Sequence, residues 1–139
     1  MPFDEGLTRL DRDQCLSLLA STSFARVGIS VQALPAILPV TIALMDDAVV
    51  FRTVPGTKLA YAASRSILAI EADQYDPSRR QGWSVLVRGV ATQLAVRRDI
   101  ERARALLADS WMDGADEHFV GVSCDLVTGR LLGPRPTPV

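Results

Sequence analysis

Soft metal ligands are scarce in this chain of 139 residues: two cysteines and a single histidine, too few for a structural zinc site. Cys15 falls on a predicted helix face and Cys124 at the end of a predicted strand. Two buried, reduced thiols are therefore expected rather than a disulfide. Basic charge is not in excess, since Lys+Arg number 15 against 16 Asp+Glu, a formal charge of −1; a nucleic-acid partner is disfavoured. No apolar run is long enough to cross a bilayer, and Asp4 and Glu5 interrupt any signal-like core, so a cytoplasmic protein is expected. A GxGxxG loop, a Walker pattern and a Ser-His-Asp order are all missing, which leaves dinucleotide-fold, NTPase and hydrolase readings without support. What remains is 48% hydrophobic and 22% charged, the composition of one globular domain with a compact core.

The pattern of apolar residues organises that domain. Asp11 is a good N-cap for a helix from Arg12 to about Ala20, with Cys15, Leu18 and Leu19 on one face. Strand-like runs follow at Phe24–Ser30, Ala36–Leu44, Ala48–Thr53, Ile67–Ala72, Trp83 to about Val96, Phe119–Cys124 and Val127–Leu132. Met45-Asp46-Asp47 makes a short hairpin connection. The polar segment from Gln74 to Gln81, which carries Pro77, Arg79 and Arg80, reads as an exposed loop. A second helix runs from Arg98 or Asp99 to about Ser110, its buried stripe being Ile100, Ala103, Leu106 and Leu107. Residues 1–133 form one domain, and the Pro-rich tail 134–139 is a loose extension. Six or seven strands without regular β-helix-β alternation favour a closed antiparallel barrel with flanking helices over a doubly wound sheet.

The chemistry concentrates between Phe51 and Leu59. A β-branched run ends at Arg52-Thr53, Pro55-Gly56 makes a turn, and Thr57-Lys58 opens a helix-compatible run to Ala63. Two cations, two hydroxyls and the amides of a helix start within seven residues form a plausible anion site, most naturally for a phosphate monoester. The competing account makes Arg52 and Lys58 ordinary solvated charges.

Downstream come Ile70-Glu71-Ala72-Asp73 and then Gly82-Trp83-Ser84-Val85-Leu86-Val87-Arg88-Gly89-Val90-Ala91. Together with the first segment they resemble the FMN-binding split-barrel proteins of the pyridoxamine 5′-phosphate oxidase-like superfamily, over roughly Cys15 to Arg130. The resemblance implies a mainly β, six-stranded antiparallel split barrel that binds FMN as a dimer. It implies that Arg52, Thr53, Thr57 and Lys58 hold the FMN phosphate. It also implies that Pro39, Val40 and Thr41 run under the isoalloxazine ring, and that Trp83 and Ser84 lie at the pyrimidine edge. Relatives often carry Asn and an aromatic residue after Pro-Val, where this chain has Thr41 and Ile42. Core packing is the alternative account of Trp83, and helix-end packing that of Trp111.

Glu71 and Asp73, two apart on a strand, point to one face; balancing Arg52, Arg88 or Arg79 is a simpler task for them than acid–base catalysis. His118 is a surface residue or, as in some split-barrel proteins, a haem ligand. No catalytic residue is assigned and no metal is expected. The expected function is that of a cytoplasmic homodimer with a shared FMN site, an oxidoreductase passing electrons to a small organic acceptor; the flavin carries the chemistry. The alternatives are a deazaflavin-dependent reductase, and a non-catalytic flavin-storage or haem-binding protein. The short chain and its Pro-rich end argue against pyridoxamine 5′-phosphate oxidase activity itself.

Overall fold

The structure, a computed structural model, describes residues 8–57, 59–60, 66–108 and 118–133. Among them are eight strands and two helices: β1 Thr8–Leu10, α1 Arg12–Ala20, β2 Phe24–Val31, β3 Leu34–Met45, β4 Ala48–Thr53, β5 Ile67–Asp76, β6 Gln81–Gln93, α2 Arg97–Leu106, β7 His118–Ser123 and β8 Leu126–Leu132. All pairings are antiparallel, in the order β1-β8-β6-β5-β2-β3-β4-β7, with β6 also paired to β7. That last pairing closes six strands into a barrel, as expected, and leaves β8 and β1 as a two-strand extension.

The closure depends on β6 changing partners along its length. Gly82–Arg88 pair with β8, whereas Ala91–Gln93 pair with β7. Gly89 lies at the branch, where a Cβ would run into the Ser123 carbonyl. Only the smallest residue lets the β7 end pass so close.

Period-two alternation fills the barrel. Val27, Val40, Ile42, Val49, Phe51, Leu68, Ile70, Val85, Val87 and Val122 point inward and are at most 4% exposed. Helix α1 starts at a reciprocal capping box between Asp11 and Gln14, and it buries Cys15 and Leu19 in the same core. Cys15 sits over Gly129 of β8, again a place with no room for a side chain. Helix α2 covers the outer side of the barrel. Its Ile100 and Ala103, with Leu107 just past its end, pack on Met45, Val50 and Phe119, and Arg102 reaches Asp46 in the β3–β4 turn at 3.3 Å.

Four local expectations change. Strand β1 was not anticipated, being three residues with no alternation to read. The expected loop 74–81 is a tight turn at 77–80, with β5 running on to Asp76 and β6 starting at Gln81; Ser78 closes it by donating to Asp76. Strand β6 stops at Gln93 rather than near Val96. Leu106 is 51% exposed, because the stripe of Ile100, Ala103 and Leu107 at i, i+3, i+7 leaves it to one side. The end of the expected second helix beyond Ala108, Trp111 and the tail 134–139 lie outside the described residues.

Candidate functional site

The end of β4 has the expected turn. Thr57 N–H donates to the Val54 carbonyl at 3.3 Å, and Gly56 holds φ +84, the arrangement in which proline precedes a glycine in the left-handed region. Thr57 Oγ1 donates to Val54 O at 2.7 Å and accepts from Ala60 N at 3.1 Å. The hydroxyl thus caps a helical start at Leu59 and Ala60. Lys58, assigned with it, lies outside the described residues.

Arg52 and Thr53 part company at this strand end. As neighbours on a strand they face opposite sides. Thr53 is 2% exposed, on the inner side with Val49 and Phe51, and its Oγ1 donates to His118 O at 3.3 Å. Arg52 is 5% exposed, beneath α2. One guanidinium N–H donates to the Leu107 carbonyl at 3.4 Å, and its carbon lies 5.5 Å from the centre of the Phe119 ring. The two side chains expected to clasp one phosphate therefore do not converge here. Both instead tie β4 to β7 and α2.

The other expected residues divide by the same alternation. Val40 is buried in the barrel, while Pro39 and Thr41 face outward. Trp83 packs half-buried against the core, and Ser84 faces outward. Among the described residues β3 pairs with β4 only from Ile42 onward, so no described strand covers that edge from Leu34 to Thr41. This is where Pro35 and Pro39, which have no N–H to give a ladder, can be accommodated. Thr41 on β3 and Ser84 on β6 share the outer face but stand three strands apart, roughly 14 Å at normal strand spacing.

Between them lies a charged cluster. Arg26 on β2 is the cross-strand neighbour of Glu71 and reaches both Glu71 and Asp73 at 3.2 Å. Ser84, opposite Asp73 in the register, places its Oγ 3.3 Å from Glu71 Oε2. Burial is the main cause that pushes the Glu71 carboxyl above its usual range; the hydrogen bond and charge of Asp73 add to it, and Ser84 and Arg26 oppose it. Sequence reading paired these carboxylates with Arg52, Arg88 or Arg79. It missed Arg26, although an arginine on the polar positions of Phe24-Ala25-Arg26-Val27 was the available signal. Arg79 instead lies near Asp76 at 3.8 Å. His118 is exposed and its Nδ1 is hydrogen-bonded to Gln93 Nε2. Among the described residues no three His, Cys, Asp or Glu side chains are grouped to hold a metal, and no helix is long and apolar enough to cross a membrane.

The family model described as pyridoxamine 5′-phosphate oxidase matches residues 11–131. The chain belongs to the pyridoxamine 5′-phosphate oxidase-like family. Within it, the chain is 38% identical over 138 residues to the uncharacterized protein Rv0080 of Mycobacterium tuberculosis, covering 95% of this chain and 90% of that one. It is similar to a solved structure described as the FAD binding protein from Mycobacterium smegmatis, with 34% identity, 91% and 98% of the two chains covered and a TM-score of 0.77. A protein from Mesorhizobium loti described as FAD-binding has a TM-score of 0.79 over 90% of this chain and 96% of its own. Its 20% identity makes that a likeness of fold. The split-barrel architecture of the family is the one built above.

Proposed function

We propose that this chain is a flavoprotein of the family, a homodimer that holds FMN non-covalently and passes reducing equivalents to a small organic acceptor. The observation that carries the cofactor reading is the end of β4. There the Pro55-Gly56 turn leads directly from the strand end into a helical start at Leu59 and Ala60 that Thr57 caps. Lys58, the only lysine in the sequence, follows directly. Amides at a helix start beside a fixed cation suit a phosphate dianion. Thr53 and Arg52 support this cradle from below by fixing β4 to β7 and α2.

The edge of β3 at Pro39, Val40 and Thr41, along which no described strand pairs, fits the flat side of a ring system, with Val40 anchoring the strand in the core. Thr41 and Ser84 are too far apart on one sheet to meet one ring. A slot between protomers resolves this, with the β3 edge from one protomer and Ser84 of the partner subunit. Trp83, on the core side of β6, packs against the barrel core. Ile37, Ile67, Val90 and Leu126 stand exposed on the same outer face, which supports its burial against a second copy. The flavin, when bound, supplies the electron transfer; the chain binds it, orients it and leaves one side open to an acceptor.

A second reading, FAD in the same slot, is favoured by the description of the Mycobacterium smegmatis relative. Titration of apo-protein with FMN, FAD and riboflavin separates the two, followed by fluorescence quenching. FMN is expected to bind at least tenfold more tightly than riboflavin and to protect Lys58 from an amine-acylating reagent. Equal affinity for riboflavin and FMN, with Lys58 unprotected, would remove the phosphate cradle. Reduction of the bound flavin by a nicotinamide or reduced-deazaflavin donor then tests the oxidoreductase reading.

A further inference from the structure

We infer that Glu71 sets the hydrogen-bond polarity of Ser84, so that the serine offers its ligand an acceptor, suited to an imide N–H, rather than a donor. Glu71 is on this account a positioning residue for ligand choice at the outer face of β6.

An ionised carboxylate only accepts. With Ser84 Oγ 3.3 Å from Glu71 Oε2, the serine proton is spent on the carboxylate, and its two lone pairs are what it turns outward. The geometry around Glu71 holds this arrangement in place. Arg26 binds the other oxygen, Oε1, at 3.2 Å and spans to Asp73 at the same distance. It thereby keeps Oε2 turned toward Ser84. Cross-strand register places these groups, Arg26 opposite Glu71 and Asp73 opposite Ser84, so each side chain starts beside its partner.

The groups facing Glu71 are Arg26 from β2, Asp73 on β5 itself, and Ser84 from β6. Arg88 lies further along β6, and Arg130 on β8 is the register partner of Ser84. When Glu71 takes up a proton it becomes able to donate to Ser84. The serine hydroxyl can then turn outward as a donor, and the preference reverses. Burial and Asp73 bring that protonation to a higher pH than for an ordinary glutamate.

The inference rests on the flavin reading, in which Ser84 meets the pyrimidine edge, where N3–H is the donor and the flanking carbonyls are acceptors. N3-methyl-FMN keeps the carbonyls and removes the donor. Affinities of FMN and N3-methyl-FMN for apo-protein are measured by fluorescence quenching in wild type, Ser84→Ala and Glu71→Gln, at neutral pH and on acidification.

The methyl group is expected to cost about tenfold in wild type, one hydrogen bond's worth. That penalty should fall severalfold in Ser84→Ala. It should also shrink in Glu71→Gln, whose amide can serve either polarity, and in wild type as the pH drops. Glu71→Gln is nearly isosteric, so a folded variant remains even if Ser84→Ala disturbs the strand. A methyl penalty unchanged in both variants and at every pH overturns the inference while leaving the flavin reading intact. If neither flavin binds wild type at all, the flavin reading fails and takes this inference with it.

Discussion

Gly89 and the Ser123 carbonyl meet at the point where β6 leaves β8 for β7, and the contact leaves no space for a Cβ. The obstacle is backbone rather than a side chain that can swing away. Gly89→Ala must therefore push β6 and β7 apart, which opens the pairing that closes the barrel. A loss of about 3 kcal/mol is expected, the upper end for forced overpacking. Urea denaturation measures it; a midpoint within error of wild type would mean that the closure yields easily at this position.

Arg52 is expected to matter first for stability. Arg52→Met keeps much of the apolar stem but loses the bond to the Leu107 carbonyl and the contact with the Phe119 ring. The expected cost is about 1–3 kcal/mol, measured on protein free of flavin. If apo-protein stability is unchanged while FMN affinity falls, Arg52 belongs to the phosphate cradle after all.

The contrast between Arg52 and Thr53 shows where the sequence was legible and where it was not. Signals that act within a few residues came through: the Asp11 cap, the turn that needs Gly56, and the stripe of Ile100, Ala103 and Leu107. Strand existence came through by alternation, as did the common face of Glu71 and Asp73. The same alternation already separates Arg52 from Thr53, Val40 from Thr41 and Trp83 from Ser84. Clustering along the chain outweighed it because an anion motif is defined by proximity in sequence. Cross-strand register was not legible. It decides that Arg26, 45 residues before Glu71, is the partner of the two carboxylates, and that Ser123 reaches Gly89. The assignment of Lys58 to the phosphate rests on sequence alone, since it lies outside the described residues.

Both thiols are expected to be inert in the folded protein. Burial is the main cause that holds the Cys15 and Cys124 thiols above their ordinary range. Asp11 adds to it at Cys15, while at Cys124 Arg12 partly opposes burial and Asp47 and Asp125 reinforce it. Since the thiolate is the reactive form, a thiol-specific disulfide reagent at mildly alkaline pH should count none in native protein and 2 in denaturant. Rapid native labelling of either cysteine would show that α1 or the β7–β8 turn opens far more readily than the packing implies.

Glu71 gives stability a pH dependence of unusual sign for a carboxylate. Its folded pKa is raised above the ordinary 4.5, chiefly by burial and next by Asp73. Between that ordinary value and the raised one, the folded state therefore binds more protons than the unfolded chain. Stability from this group is then present below the window and is lost as pH rises through it, the reverse of an exposed, salt-bridged glutamate. Glu71→Gln carries no titration at this position and should lack the slope. The melting temperature of wild type relative to Glu71→Gln, followed upward from about pH 4.5, is expected to fall and then level off. If wild type gains on the variant as the pH rises, the attraction of Arg26 and the Ser84 hydrogen bond outweigh burial, and the carboxylate is a stabilising ion rather than a strained one.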